Sequence, residues 1–364
     1  MKSVVGAARV VTHPSTRTAR TDARASTSGG TAMNFDFARL VAALAAAGNG
    51  GMPAARTFAA GRWGEASTVA RALQRAVETG SLGGVDYAAL AQGFIQLLQA
   101  DSIIERLDAI SPMRRAPFFA PLARETKPAR VEWTAEGMRK IVADMSLAPL
   151  KVQPRKIAGG VVMTVESLRQ TAGELERAVS ASLAAAYAMA EGATLLSAHP
   201  GDEARPAGLL YGITPTPASG AGADAFAADV HAALANFRGD LSRSVWIANA
   251  ADAVSMNLLD TTFTANVTAS GGVLGGLPLV ASPAAPQGML VLVDVSALVL
   301  AADPPLADVT SEATIDVVDD DGVVTTALLW QSNLTCVLIE RRINWLVARD
   351  GAVAAVSGLF ADAA

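Results

Sequence analysis

A chain of 364 residues with 51% hydrophobic and 17% charged side chains is too long for one small core and too apolar for disorder. About two packed units with extensions, and much surface covered by partners, are expected. With 29 basic against 34 acidic residues, the net charge of −5 gives no overall electrostatic drive toward nucleic acid, and the single cysteine, Cys336, excludes a disulfide framework or thiolate zinc cluster and fits a reducing compartment.

Residues 1–32 set Lys2, Arg9, Arg17, Arg20 and Arg24 against Asp22 among small polar residues, which predicts a mobile basic tail. Arg9 interrupts the short apolar run that follows Lys2, so no secretory signal is read. From Phe35 to about Val77 the spacing is helical, with Phe37, Leu40, Val41 and Leu44 on one face and Val69, Leu73 and Val77 on another, separated by Gly48, Gly50, Gly51 and Pro53. Gly80, Gly83 and Gly84 mark a linker. Leu90 to Leu107 then reads as a short helical stretch and an extended arm whose anchors, Phe94, Ile95, Leu98, Ile103 and Ile104, are expected to find burial on neighbouring copies.

Six prolines between Pro112 and Pro154, with many charges, predict extended arms and a protruding hairpin. Ile157 to Val165 reads as a strand. Thr171 and Glu174 have capping-box spacing, and a long helix follows, with Leu175, Val179, Leu183, Ala186, Ala190, Ala193 and Leu196 as its apolar stripe. Helices are expected over Asp224 to Phe237 and Ala251 to Leu259. Strands are expected at Ser244 to Ala248, Leu277 to Ala281, Met289 to Val293 and Thr314 to Val318, with a long strand pair from Val323 to Val347. Residues 261–293 carry no charge, but their glycines and prolines break any membrane-spanning helix. The class is α+β, without a βαβ repeat.

Chemistry-bearing motifs are sparse. There is no phosphate-binding loop, no dinucleotide fingerprint at Gly271 to Gly276 and no nucleophile elbow. His13, His199 and His231 stand apart from any carboxylate pair. The run Asp319 to Asp321 could hold a hard cation, but with Gly322 it is also an ordinary hairpin turn. Cys336 alternates with Leu334 and Leu338 and is expected as a small buried hydrophobe.

The segment Arg155 to Val162 leading to Val165-Glu166-Ser167-Leu168, the helix end Ala190 to Leu196 before a Gly-Asp loop, Gly275 to Val280, Asn333 to Arg342 and Gly351 to Val356 together resemble the tailed-bacteriophage major capsid family, with its Hong Kong 97 fold, over residues 80–360. The resemblance implies an N-terminal helical, scaffold-like region at 33–80, cleaved near Gly80, an N-arm at 81–128 and an extended loop at 129–156. It further implies a peripheral domain with a long spine helix at 157–215 and 309–345, and an axial domain at 216–308 and 346–364. By the same resemblance the chain is a virion shell subunit without enzymatic activity or cofactors, assembled in the host bacterial cytoplasm. Its partners would be further copies in hexamers and pentamers, packaged DNA without sequence-specific contact, and a portal, scaffold or maturation protease, but no membrane.

Some relatives join a loop lysine to an asparagine of the next subunit, assisted by a glutamate, and Lys140, Asn333 and Glu340 fall at matching positions. A lysine freed of its proton in a dry contact, a carboxylate to accept that proton and an amide electrophile make the chemistry sensible. Solvated or hydrogen-bonded side chains are the plainer alternative for all three. Rival readings are an encapsulin-like compartment shell and a soluble enzyme using Glu136, Glu166 or Asp260 as an isolated acid.

Overall fold

The computed structural model describes residues 36, 39–44, 46–47, 50–79, 94–95, 98, 100–127, 131–140, 142, 146–164, 166, 174–318 and 322–360; the expected basic tail, Thr171 of the capping pair and the Asp319 to Asp321 run lie outside them. In chain order the helices are α1 (Gly51–Trp63), α2 (Thr68–Thr79), α3 (Ile103–Ile110), α4 (Glu174–Leu195), α5 (Ala223–Asn236) and α6 (Ala250–Asn257). The strands are β1 (Arg114–Arg115), β2 (Pro121–Lys127), β3 (Ser146–Lys151), β4 (Arg155–Thr164), β5 (Thr216–Pro217), β6 (Ser244–Ala248), β7 (Val267–Thr268) and β8 (Gly271–Leu274). They continue as β9 (Leu277–Ala281), β10 (Met289–Asp294), β11 (Leu298–Ala302), β12 (Leu306–Thr310), β13 (Thr314–Val318), β14 (Val324–Leu328), β15 (Leu334–Val347) and β16 (Val353–Ser357).

Two larger sheets organise the molecule. The first runs β5-β16-β10-β6-β9-β8-β7 and is buried on both faces at its centre. In β6, Val245 and Ile247 enter one apolar cluster while Trp246 and Ala248 enter the other, and β10 and β16 divide their residues the same way. A strand covered on both sides has no polar face, which is why these segments read as continuous apolar runs. Helices α5 and α6 cover one side through Phe226, Val230, Ala233, Ala253 and Met256. The chain from β6 through α6 returns to β9 in parallel register, a single crossover within an otherwise mostly antiparallel sheet.

The second sheet is built on β15, 14 residues long. One edge of β15 pairs with β4 from Leu334 to Ile343, and the other pairs with β12 and then β11. Asp303-Pro304-Pro305 separates β11 from β12, because consecutive prolines offer no N–H to a ladder. The 22-residue helix α4, about 33 Å long at 1.5 Å per residue, packs on this sheet and on α3. A Cβ on Gly192 would come within 2.7 Å of Ala284 Cβ and 3.1 Å of Ile103 Cδ1, so glycine lets α4 approach both.

Three expectations are corrected. The expected stripe of α4 places Ala186, Ala190 and Ala193 inside, but all three are exposed; the buried line runs through Val179, Leu183, Tyr187, Glu191 and Leu195. The anchors Phe94, Leu98, Ile103 and Ile104 are at most 1% exposed within their own subunit. Residues 103–110 are helical, not extended, and a helix lets Ile103, Ile104 and Leu107 face one core together, each burial being worth about 1.5–3 kcal/mol. Lastly, β14 pairs back on β13 and not on β15, since the turn through Gly322 (φ 78°) joins the nearer strands.

The predicted hairpin is present as β2–β3, starting at Pro121, and Phe119 N–H donating to Val152 O extends it. Arg124 pairs with Asp350 and ties its base to the turn before β16. Near the N-terminus, α1, α2 and residues 39–44 form a small core around Leu40, Ala55, Ala59, Val69 and Leu73, while Val41 packs with Phe94, Leu98 and the buried side of α4. Val77 is exposed, and Phe35 and Phe37 lie outside the described residues.

Candidate functional site

Charge is buried where α3, α4 and β15 cross. Ser102 caps α3, accepting from Glu105 N–H at 3.3 Å, and its own hydroxyl donates to Glu191 Oε2 at 2.5 Å. Arg341, on β15, donates through Nη1 and Nη2 to Glu105 Oε1, both at 3.2 Å, and through Nε to Asp303 O at the break between β11 and β12. The Arg341 and Glu105 side chains are 3% and 6% exposed. A buried ion pair offsets its desolvation only when such extra hydrogen bonds complete it, and here they do on the cation's side.

Glu191 is the second carboxyl against one guanidinium. Burial pushes its pKa up to about 7, against the opposing pull of the Ser102 hydroxyl and Arg341, and Glu105 adds to the rise. Tyr187, one turn earlier, sets its ring edge-on to Phe94 with centroids 6.4 Å apart. Its hydroxyl, pushed up by burial and by Glu191, lies near the carboxylate but not in hydrogen-bonding geometry, and Glu191 Oε1 has no partner among the described residues. Sequence analysis missed this cluster, although its signal was available. Glu105, Glu191 and Arg341 each interrupt an apolar stripe at a core register, and such charges are paired when buried.

The sequence-predicted site residues are placed apart. Lys140 is exposed in the β2–β3 connection. Asn333, at positive φ before β15, donates through Nδ2 to Glu166, and Glu340 accepts from Lys156 Nζ at 3.1 Å. Six residue steps along the strand separate Leu334 from Glu340, about 20 Å, so one copy does not bring Asn333 and Glu340 together. Glu136 and Asp260 are exposed on different elements. His199 Nδ1 accepts from Gly201 N–H at 2.9 Å, His231 is exposed on α5, and Cys336 is buried on β15.

The surface carries two apolar loads. Val131, Trp133, Met138 and Val142 in the hairpin connection are 92%, 105%, 68% and 92% exposed; Val318, Val323 and Val324 are exposed at the turn end of the β13–β14 hairpin, and Trp330 is exposed beyond its opposite end. Two cavities flank Trp345. One, of about 200 Å³, lies beside Arg124 and Tyr211; the other, of about 240 Å³, is rimmed by Arg155, Lys156 and Arg205 and reaches Glu191.

The family described as the phage capsid family matches residues 87–357. A curated relative, the capsid polyprotein of Pseudomonas phage PAJU2, is 29% identical over 323 residues, covering 81% of this chain and 47% of its own length. The chain therefore spans about half the length of that relative. Among solved structures, a chain from Mycobacterium phage Adephagia is similar with a TM-score of 0.51 at 12% identity, covering 71% of this chain and 90% of its own, a likeness of fold. A chain from Mycobacterium phage Bobi has a TM-score of 0.49 at 13% identity, with 72% and 89% covered.

Proposed function

Because the chain belongs to the phage capsid family, we propose that it is the major capsid protein of a tailed phage, many copies of which close into the icosahedral head shell around double-stranded DNA. The family is a structural one, and the mixed helix-and-sheet architecture accords with the Hong Kong 97 fold expected from the sequence. The observation that carries the proposal is the family match across residues 87–357, which takes in the hairpin, α4 and both large sheets.

On this reading the β15 sheet with α4 is the peripheral domain with its spine helix, the seven-stranded sheet with α5 and α6 is the axial domain, and β2–β3 is the extended loop. Strand β11 pairs in the β15 sheet, which supports moving it from the axial to the peripheral unit. Residues 33–80 act as a scaffold-like region, and a maturation protease and portal join assembly in the host cytoplasm. In the proposed cross-link, deprotonated Lys140 Nζ of one copy attacks the side-chain amide carbon of Asn333 of another, the new amide bond replacing the old C–N bond as ammonia leaves; the 20 Å along β15 calls for Glu340 from a different copy than Asn333.

Electron microscopy of the expressed full chain tests the shell reading. Closed shells or ring-shaped capsomers are expected, and a monomer at high concentration in every buffer overturns it.

A further inference from the structure

Charge is divided unevenly along this chain, and we propose that the outer face of the α1–α2 unit, with the basic residues that precede it, binds the phosphate backbone of nucleic acid without reading its sequence. This contact lies beyond the shell reading and stands on other residues.

The first 79 residues hold ten of the 29 basic side chains, nine of them arginine, and only four of the 34 acidic ones. Their net charge is +6 against −5 for the whole chain, so the other 285 residues stand at −11. Between Arg243 and Arg341 there are eleven acidic residues and not one lysine or arginine. A polyanion is therefore attracted to one end of the chain and repelled by the rest, a contrast that the overall charge conceals.

The folded part of that end keeps its arginines outward. Leu40 packs on α1 and α2 while Val41 packs with Phe94 and Leu98, so the apolar side of the unit is spent on the rest of its own copy. Arg62, Arg71 and Arg75 are exposed, the last two one turn apart on α2. Arg62 lies over Phe58 and Trp63, 5.8 and 5.9 Å from the ring centroids, and the two rings meet edge-on at 5.8 Å. The half-buried rings thus hold a guanidinium in place and are not free to stack on bases. Arg56, Arg62 and Arg71 meet no carboxylate among the described residues. Of the nearby acids, Asp36 is engaged by Arg39 at 3.0 Å and Glu78 accepts from Gln74 at 2.6 Å, which leaves Glu65 exposed at the turn between the helices.

The predominance of arginine favours phosphate over an acidic protein surface. Its planar fork matches a phosphate, and a nucleic-acid strand offers one at every step where a protein surface offers scattered carboxylates. With no ring available to a base, the contact is to the backbone alone, a chemistry that DNA and RNA share. Removal of the scaffold-like region would leave a chain at −11 without this grip, so the contact belongs to the stage before such removal.

The test is fluorescence anisotropy of labelled DNA duplexes of two unrelated sequences, and of a single-stranded RNA of the same length, titrated with the full chain. Equal affinity for the two duplexes, falling steeply with salt, is expected. The triple variant Arg62→Gln, Arg71→Gln, Arg75→Gln keeps helix-forming side chains and should bind about a hundredfold more weakly at about 50 mM salt, with the slope of log affinity against log salt shallower by about two to three. Photo-cross-linking of the wild-type chain covers the case in which the variant misfolds, and the labelled peptides are expected to include residues 36–79. A difference between DNA and RNA identifies the polymer and leaves the proposal standing. No binding at low salt, a folded variant that binds like wild type, or cross-links only outside residues 36–79 each overturn it. Polyglutamate competing as well as DNA at equal charge also overturns it and assigns the face to an acidic protein surface. Shells are scored separately by electron microscopy, and none of these results bears on whether they form.

Discussion

Replacing Glu191 by glutamine tests the buried charge cluster at its weakest member. The amide keeps the shape and still accepts from Ser102, but it cannot ionise. Below about pH 4.5, the ordinary value for a glutamate, folded and unfolded wild-type chains both hold the proton, and the two proteins differ little. Between there and the folded value of about 7, the folded state keeps a proton that the unfolded chain has lost, so wild-type stability falls as pH rises. At about 1.4 kcal/mol per pH unit over roughly 2.5 units, the loss reaches about 3 kcal/mol and is complete above pH 7. Glu191→Gln avoids it and should gain about 3 kcal/mol over wild type at pH 8 while matching it near pH 4.5. Urea unfolding of unassembled subunits from pH 4.5 to 8.5 reads this as a growing separation of midpoints, about 1 M at the alkaline end for a slope of about 3 kcal/mol per molar. A separation that is constant with pH, or that shrinks as pH rises, would refute the reasoning.

Other substitutions address other joints of the fold. Arg341→Met leaves Glu105 buried without its cation and should cost about 3–5 kcal/mol in the same assay, most of it recovered when Glu105→Leu is added; a double variant as unstable as the single would count against a paired cluster. Phe94→Ala should cost about 3–5 kcal/mol in the unassembled subunit, because the ring is buried against Tyr187 of its own chain, and a cost seen only in assembled shells would restore the intersubunit reading of that anchor. Lys140→Ala should abolish any boiling-resistant ladder of joined chains, and wild-type shells without a ladder would end the cross-link proposal.

What the sequence revealed divides by the kind of signal. The hairpin, β6, β9, β10, β13 and the helices α4, α5 and α6 were legible within a few residues, because continuous apolar runs, proline spacing and 3.6-residue periods are local signals. The buried face of α4 was misread because alanine is apolar on both sides of an Ala-rich helix. Between Leu183 and Leu195, only Tyr187 and Glu191, bulky or charged at i and i+4, mark the inner face, and a glutamate there looks like a surface residue until Ser102 and Arg341 are placed beside it. The pairing of β15 with β4 depends on contacts far apart in sequence that no local pattern encodes, whereas that of β14 with β13 is a local hairpin across the turn at Gly322. The proposed site residues were chosen by resemblance alone, and they sit on the exposed rim of the fold, where periodicity carries no information.

The misplaced anchors change the argument for a shell and leave its conclusion in place. Had Phe94, Leu98, Ile103 and Ile104 been unburied, the subunit would have needed neighbours in order to fold; instead α3 completes its own core between the two sheets. Among the described residues, Trp133 and Trp330 are the largest exposed apolar side chains, both on or beside hairpin segments, and Phe119, Tyr211 and Leu258 add to the apolar surface elsewhere. Hairpins that pack on little of their own chain can present apolar residues without weakening the core that carries them, since their burial was never part of its stability. A subunit built this way can fold alone and still gain from association, which separates folding from assembly in time. The buried pair of Arg341 and Glu105 fits the same division, because it ties α3 to β15 from within one copy and so fixes the frame from which both hairpins project.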